Sequence, residues 1–148
     1  MISGRHSSNG WQAGTAAIEF ALCIPLFAAL MLGVVELGFA IFQSMQVRNA
    51  VEAGAVYASQ NDWDAAAVAN AVVSASNTSG ITATPAPSQF CGCPSAAGVT
   101  TWTCGTKCAS GDAPGVYALI SAQMPHQAIL PGLPLPTTLS AQATVRLD

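Results

Sequence analysis

The chain has 148 residues, enough for one domain, and about half of them are apolar while only 7% are charged, far below the ~25% of an ordinary soluble domain, so a solvent other than water is expected around part of it. The net charge is −3 and the four basic residues, Arg5, Arg48, Lys107 and Arg146, are scattered, which excludes the electrostatic footprint of a nucleic-acid binder. His6 and His126 stand far apart with no carboxylate or cysteine at ligand spacing, and no Ser, His, Asp grouping, phosphate loop or HExxH motif is present, so no active site, metal or cofactor is expected.

The leader "MISGRHSSNGWQAG" precedes an apolar run that reads as unbroken helix from Thr15 to Phe42. Twenty-eight residues at ~1.5 Å each span roughly 42 Å, more than the ~30 Å hydrocarbon core requires. A single transmembrane helix over 15–42 is therefore expected. Pro25 removes one backbone donor and leaves the carbonyl of Ala21 unpaired, which predicts a mild kink. Gly33 and Gly38 make the later half thin, but they lack GxxxG spacing and Gly is common in membrane helices anyway. The leader holds Arg5 and no acid, whereas Glu52, Asp62 and Asp64 outnumber Arg48 beyond Gln43, so the amino terminus should stay cytoplasmic, with Trp11 at the interface.

Two carboxylates interrupt this run. Glu19 and Glu36 are 17 residues apart, ~25 Å along the axis and about 100° around it, so they form no pair and share no face. A carboxylate in mid-membrane costs roughly 2.5 to 3.5 kcal/mol on insertion scales, so each needs a partner, shallow placement or a protonated form. For Glu36 the expectation is shallow placement near the outer edge, reaching headgroups or water. Glu19 is the fifth residue after Gly14 and is followed by Phe20, a pattern that resembles the site where prepilin peptidases cut type IV pilins and pseudopilins. Cleavage between Gly14 and Thr15 would leave an ammonium at a helix tip, where the macrodipole disfavours it, and Glu19 would offset that charge in the same or an adjacent subunit. The other reading is local: Glu19 favours a helix amino terminus and snorkels toward the cytoplasm.

Past Phe42 the helix is expected to continue to about Ser59 as an amphipathic extension, with Met45, Val47, Ala50, Val51, Ala55 and Ala58 apolar and Gln46, Arg48, Asn49 and Glu52 polar. "NDWD" breaks it, with Asp62 or Asn61 as cap of a second helix to about Ser76, which "NTSG" ends. Asn77, Thr78 and Ser79 match the glycosylation triplet, a three-residue pattern short enough to arise by chance. Short β-like runs follow at Ile81–Thr84, Val99–Cys104, Gly115–Ala122 and Leu139–Leu147, and they predict a small antiparallel sheet. "MPHQAILPGLPLPTT" is too rich in proline for an inner strand and should be an extended connection, with Ile129, Leu130, Leu133 and Leu135 packing on their own domain or touching partner subunits.

Fewer than 90 residues lie beyond the first helix, and so small a core commonly needs staples. Cys91, Cys93, Cys104 and Cys108 can supply two disulfides outside the cytoplasm. The pairing expected is Cys91 with Cys108 and Cys93 with Cys104, an inner bridge nested in an outer one across a hairpin through "PSAAGVTTW". Each bridge is worth ~3 kcal/mol in the chain-entropy model. CxC with CxxxC is poor zinc spacing, and no CxxC exists for redox catalysis. Cys23 reads as a small apolar residue of the membrane helix.

The segment "GTAAIEFALCIPLFAALMLGVVELGFAIFQSMQVRNAVEAGAVYAS" closely resembles the TadE-like family, minor pseudopilins of the Tad (Flp) pilus system, which open with an AxEFAL-type segment, pass an ELG-type turn and run on as an Ala-rich amphipathic helix. A weaker likeness recurs in "CGCP", "GVYALISAQMP", the Pro/Leu-rich link and "LSAQATVRLD". Phe39 follows ELG where relatives often have Arg, so no role for a basic residue carries over. The resemblance implies a pilin-like α+β fold: a long amino-terminal transmembrane helix continuing into an amphipathic one, a second short helix and a small antiparallel sheet. It implies a non-enzymatic part in building a pilus used in adhesion, residence in the bacterial inner membrane with the outer domain periplasmic, prepilin peptidase and other Tad pilus subunits as partners, and Gly14, Thr15, Glu19 and Phe20 as the processing and recognition positions. The organisation expected is a leader at 1–14, the span at 15–42, its extension at 43–60 and an outer domain at 61–148. Two further readings remain: an uncut membrane anchor or envelope scaffold, and a secreted protein released by a signal peptidase after Ala40 in "GFA".

Overall fold

The computed structural model describes residues 10–76, 78–129 and 135–147, with the side chains of residues 10–13 and 15 left aside. Expectations for Arg5, for the Trp11 side chain, for Asn77 of the triplet and for Leu130 and Leu133 of the link lie outside the described residues.

The first helix, α1, runs Gly10–Gln60 without interruption, about 76 Å at the usual rise. It starts five residues before the expected Thr15, and it continues through Pro25 and through Glu36, Leu37 and Gly38, so the ELG sequence makes no turn. A Cβ built at Gly38 has open space around it. From Ile18 to Leu37 every large apolar side chain is between 47% and 73% exposed.

One-sided burial begins at Glu36 and follows Ala40, Val47, Ala50, Val51, Gly54 and Ala58, the steps of three and four that mark one helix face. Arg48 and Glu52 lie on the opposite, exposed face, as the amphipathic pattern predicts. The second helix, α2, spans Ala65–Ser74 and lays Val68 and Val72 on α1. The helices touch at Gly54, where a Cβ would come within 2.4 Å of Val72 and 3.2 Å of Ile120. Glycine is the residue that lets helix, helix and sheet meet there. The cap of α2 is Asp64 rather than Asp62 or Asn61: its Oδ1 accepts from the amides of Ala66 at 2.8 Å and Ala67 at 3.3 Å. Asn61 closes α1 instead, its backbone and side-chain nitrogens both donating to the Tyr57 carbonyl.

Four antiparallel strands, β1 (Ser88–Ser95), β2 (Gly98–Thr101), β3 (Gly115–Pro125) and β4 (Thr138–Leu147), form one sheet in the order β2-β1-β3-β4. One face packs on α1 and α2: Ala118, Ile120, Ala122 and Met124 of β3 join Leu139 of β4 and the helical valines in the core. The other face of β4 shows Ser140, Gln142, Thr144 and Arg146 to solvent. The α+β class expected from the sequence is the one observed. Ile81–Thr84 is no strand; it contributes a single bridge from Thr82 to Gln123. Strand β1 replaces it. Its Gly92 fits beneath Val99, Phe90 and Tyr117, where a Cβ would approach to 2.4 and 3.1 Å, and Pro94 falls past the end of the β1–β3 ladder at Gly92, where no amide is required.

The bridges are crossed, not nested: Cys91 joins Cys104 and Cys93 joins Cys108, with Cα separations of 5.3 and 5.8 Å. The register gives the reason. Cys93 faces Thr100, so Cys104 would lie four residues, ~13 Å, further along an extended β2, beyond the ~7 Å that a disulfide spans. The chain instead leaves β2 after Thr101, brings Cys104 to Cys91, and turns back through the Thr103–Thr106 turn to set Cys108 beside Cys93.

Candidate functional site: the apolar helix and its buried glutamate

Gly14, Glu19 and Phe20 all lie within the first three turns of α1. The Gly14–Thr15 bond is helical, and Gly14 is exposed with nothing within 4 Å of a built Cβ. Glu19 is exposed and makes no hydrogen bond or ion pair with any described residue, while Phe20 is 69% exposed beside it. Phe20, Cys23, Ile24, Phe27 and Ala28 line one shallow apolar concavity along the helix. Among the described residues, no other element packs on this stretch. One carboxylate therefore stands among exposed apolar side chains of its own helix.

Glu36 differs from the shallow, water-facing placement expected for it. It is 1% exposed, and both its oxygens accept from the Ile129 amide, at 3.1 and 2.9 Å. His126 Nε2 lies 3.5 Å from the same carboxylate, and His126 Nδ1 bonds the Gln43 side chain. Phe39 stacks obliquely on the imidazole with centroids 6.4 Å apart. Glu36, Ala40 and Gln43 share one helix face, so the carboxylate is the amino-terminal end of the stripe that receives the domain.

The direction of the Nδ1–Gln43 hydrogen bond depends on the imidazole tautomer. Nε2 is buried 3.5 Å from the carboxylate, with no hydrogen-bond partner among the described residues. The cluster joins residues 83 and 93 positions apart, so no local spacing in the sequence signals it.

Cys91, Cys93, Cys104 and Cys108 hold β1 to the loop that follows β2, on the sheet edge remote from β4. Among the described residues, no three His, Cys, Asp or Glu side chains gather as metal ligands. Cys23, the free cysteine, is exposed on α1. One helix is long and apolar enough to cross a membrane, with a mean hydropathy of 2.4 in its most apolar stretch, and it reads as a membrane anchor.

A family model described as TadE-like protein matches residues 14–56, a stretch that lies wholly within α1. The likeness read from the sequence holds over that stretch, and it points to involvement in Tad pilus systems. The match ends short of the cysteines and the sheet. No curated protein and no solved structure gives a significant match to the chain.

Proposed function

We propose, from the TadE-like segment at residues 14–56, that this chain is a non-enzymatic minor pseudopilin in the assembly of a Tad (Flp) pilus. It would be inserted in the bacterial inner membrane with residues 1–14 cytoplasmic and the outer domain periplasmic, cut by prepilin peptidase between Gly14 and Thr15, and drawn by its apolar helix among other Tad subunits of a pilus used in adhesion.

The observation that carries this reading is Glu19: a carboxylate on a helix exposed all round, with no partner among the described residues. In an apolar setting such a group needs a counter-charge. The ammonium created at Thr15, on this subunit or the next, is one helical turn away in the sequence and supplies it. Pairing of that kind sets the axial position of one helix against its neighbour. Phe20, beside Glu19, is the recognition position for the peptidase. The scissile bond is helical in the uncut chain, so the peptidase must open the first turns, where helix ends fray most readily.

Sequencing the amino terminus of mature protein from purified pili tests the reading. Thr15 is expected. Met1 would favour the uncut anchor, and Ile41 the secreted form. The secreted form faces a specific objection: cleavage after Ala40 removes Glu36 and leaves the Ile129 amide and His126 without their partner. Glu19→Ala should leave insertion intact and abolish incorporation into pili; normal piliation by that variant would remove Glu19 from assembly.

A further inference from the structure

We infer that the outer domain does not stand clear of the bilayer but rests on it, with the corner at Gln127–Ile129 seated at the boundary between lipid headgroups and acyl chains and tied to α1 through Glu36. The inference rests on the membrane-anchor reading of α1, and its partner is a phospholipid surface.

Depth along the helix comes first. From Ala16 to Val35 no side chain of α1 is buried by the domain, and one-sided burial begins at Glu36. Those twenty residues span ~30 Å, the thickness of a hydrocarbon core. If the span fills the core, Glu36 lies at its outer boundary. The Ile129 amide bonds the Glu36 carboxylate directly, so Ile129 lies at the same depth. Its side chain is 60% exposed, an apolar group at the level where lipid begins.

Chemistry of the rim comes second. Between Gln127 and Val145 the sequence holds no charged residue, so no ionic group in that stretch must be desolvated where Ala128 and Ile129 meet an apolar layer. His126, which could carry charge, is 4% exposed and turned toward Glu36. The exposed face of β4 rises away from this corner with Ser140, Gln142, Thr144 and Arg146 outward, so polarity returns with distance from the proposed surface.

The carboxylate comes third. At the edge of hydrocarbon Glu36 would otherwise draw water or headgroups to itself. Here two oxygens are met by the Ile129 amide and faced by the imidazole, and 1% exposure leaves no access for lipid. The domain thus brings its own donor, the Ile129 amide, to the helix, and that contact closes only when the corner sits down at the depth of Glu36.

The test uses the full chain with Cys23→Ala, reconstituted in phosphatidylethanolamine and phosphatidylglycerol vesicles at low protein density. Spin labels are placed singly by Ile129→Cys, Ala128→Cys, Val34→Cys and Thr144→Cys, and intact mass confirms both native bridges in each. Collision with oxygen, which enters lipid, is compared with collision with a water-soluble nickel chelate. The oxygen-to-nickel ratio at positions 128 and 129 is expected to be several-fold above that at 144 and to approach that at 34. A ratio at 128 and 129 equal to that at 144, with 34 in lipid, overturns the inference and leaves the anchor standing. Shielding of 128 and 129 from both reagents indicates a protein contact with a second copy and also overturns it. Nickel access at 34 removes the anchor reading itself, and this inference with it.

Discussion

Glu36 shows how a single carboxylate can change meaning between sequence and structure. In the sequence it is an acid near the end of an apolar run, and shallow solvation is the economical reading. In the structure it is sealed from water and bonded to an amide 93 positions away. Its removal by Glu36→Ala should leave the Ile129 amide buried and without its acceptor, at a cost of about 1–3 kcal/mol for the unsatisfied group. Thermal unfolding in detergent would report this as a lowered midpoint, and Glu36→Gln, which keeps an accepting oxygen, should lose less. Equal midpoints for wild type and Glu36→Ala would show that the contact contributes nothing to the fold. Glu19 is the opposite case: its spacing from Gly14 was legible in the sequence, and the fold adds to it only the lack of any intrachain partner among the described residues.

At the scale of elements, the helices were more legible than the strands. Apolar periodicity and alanine content marked α1 and α2, and their ends moved by a few residues because side-chain caps are local contests: Asp64 wins over Asp62 and Asn61 by reaching two amides at once. Strand β1 was invisible because "SQFCGCPS" has no β-branched residue and contains both Gly and Pro. It forms because its neighbours on both sides accept it, with Phe90 stacked on Tyr117 at 5.8 Å and Gly92 fitting under Val99. The cysteine pairing depends on the same strand, because the register that sets Cys93 opposite Thr100 is fixed by β1. The crossed bridges make a direct prediction. Cys91→Ser with Cys104→Ser should retain one bridge and show only Cys23 as a free thiol before reduction, at a cost of about 3 kcal/mol for the lost loop closure. Cys91→Ser with Cys108→Ser should expose or scramble Cys93 and Cys104. The reverse pattern of thiol counts would restore the nested pairing.

At the scale of the whole molecule, α1 is two things in series: an apolar segment exposed on all sides, then the central beam of the carboxy-terminal domain. The join is at Glu36, so the domain's structural beginning lies inside the apolar segment rather than after it. A fragment of residues 33–148 should therefore unfold at a higher temperature than one of residues 44–148, which lacks Glu36, Ala40 and Gln43; identical midpoints in the same detergent would move the join outward. The sequence by itself determined the long apolar helix, its amphipathic extension and the α+β class, because each follows from composition or from periodicity between near neighbours. Tertiary structure alone decided the strand order, the crossed cysteines and the burial of Glu36. Those outcomes depend on which distant segments come into register, and no residue's own neighbours in the chain carry that information.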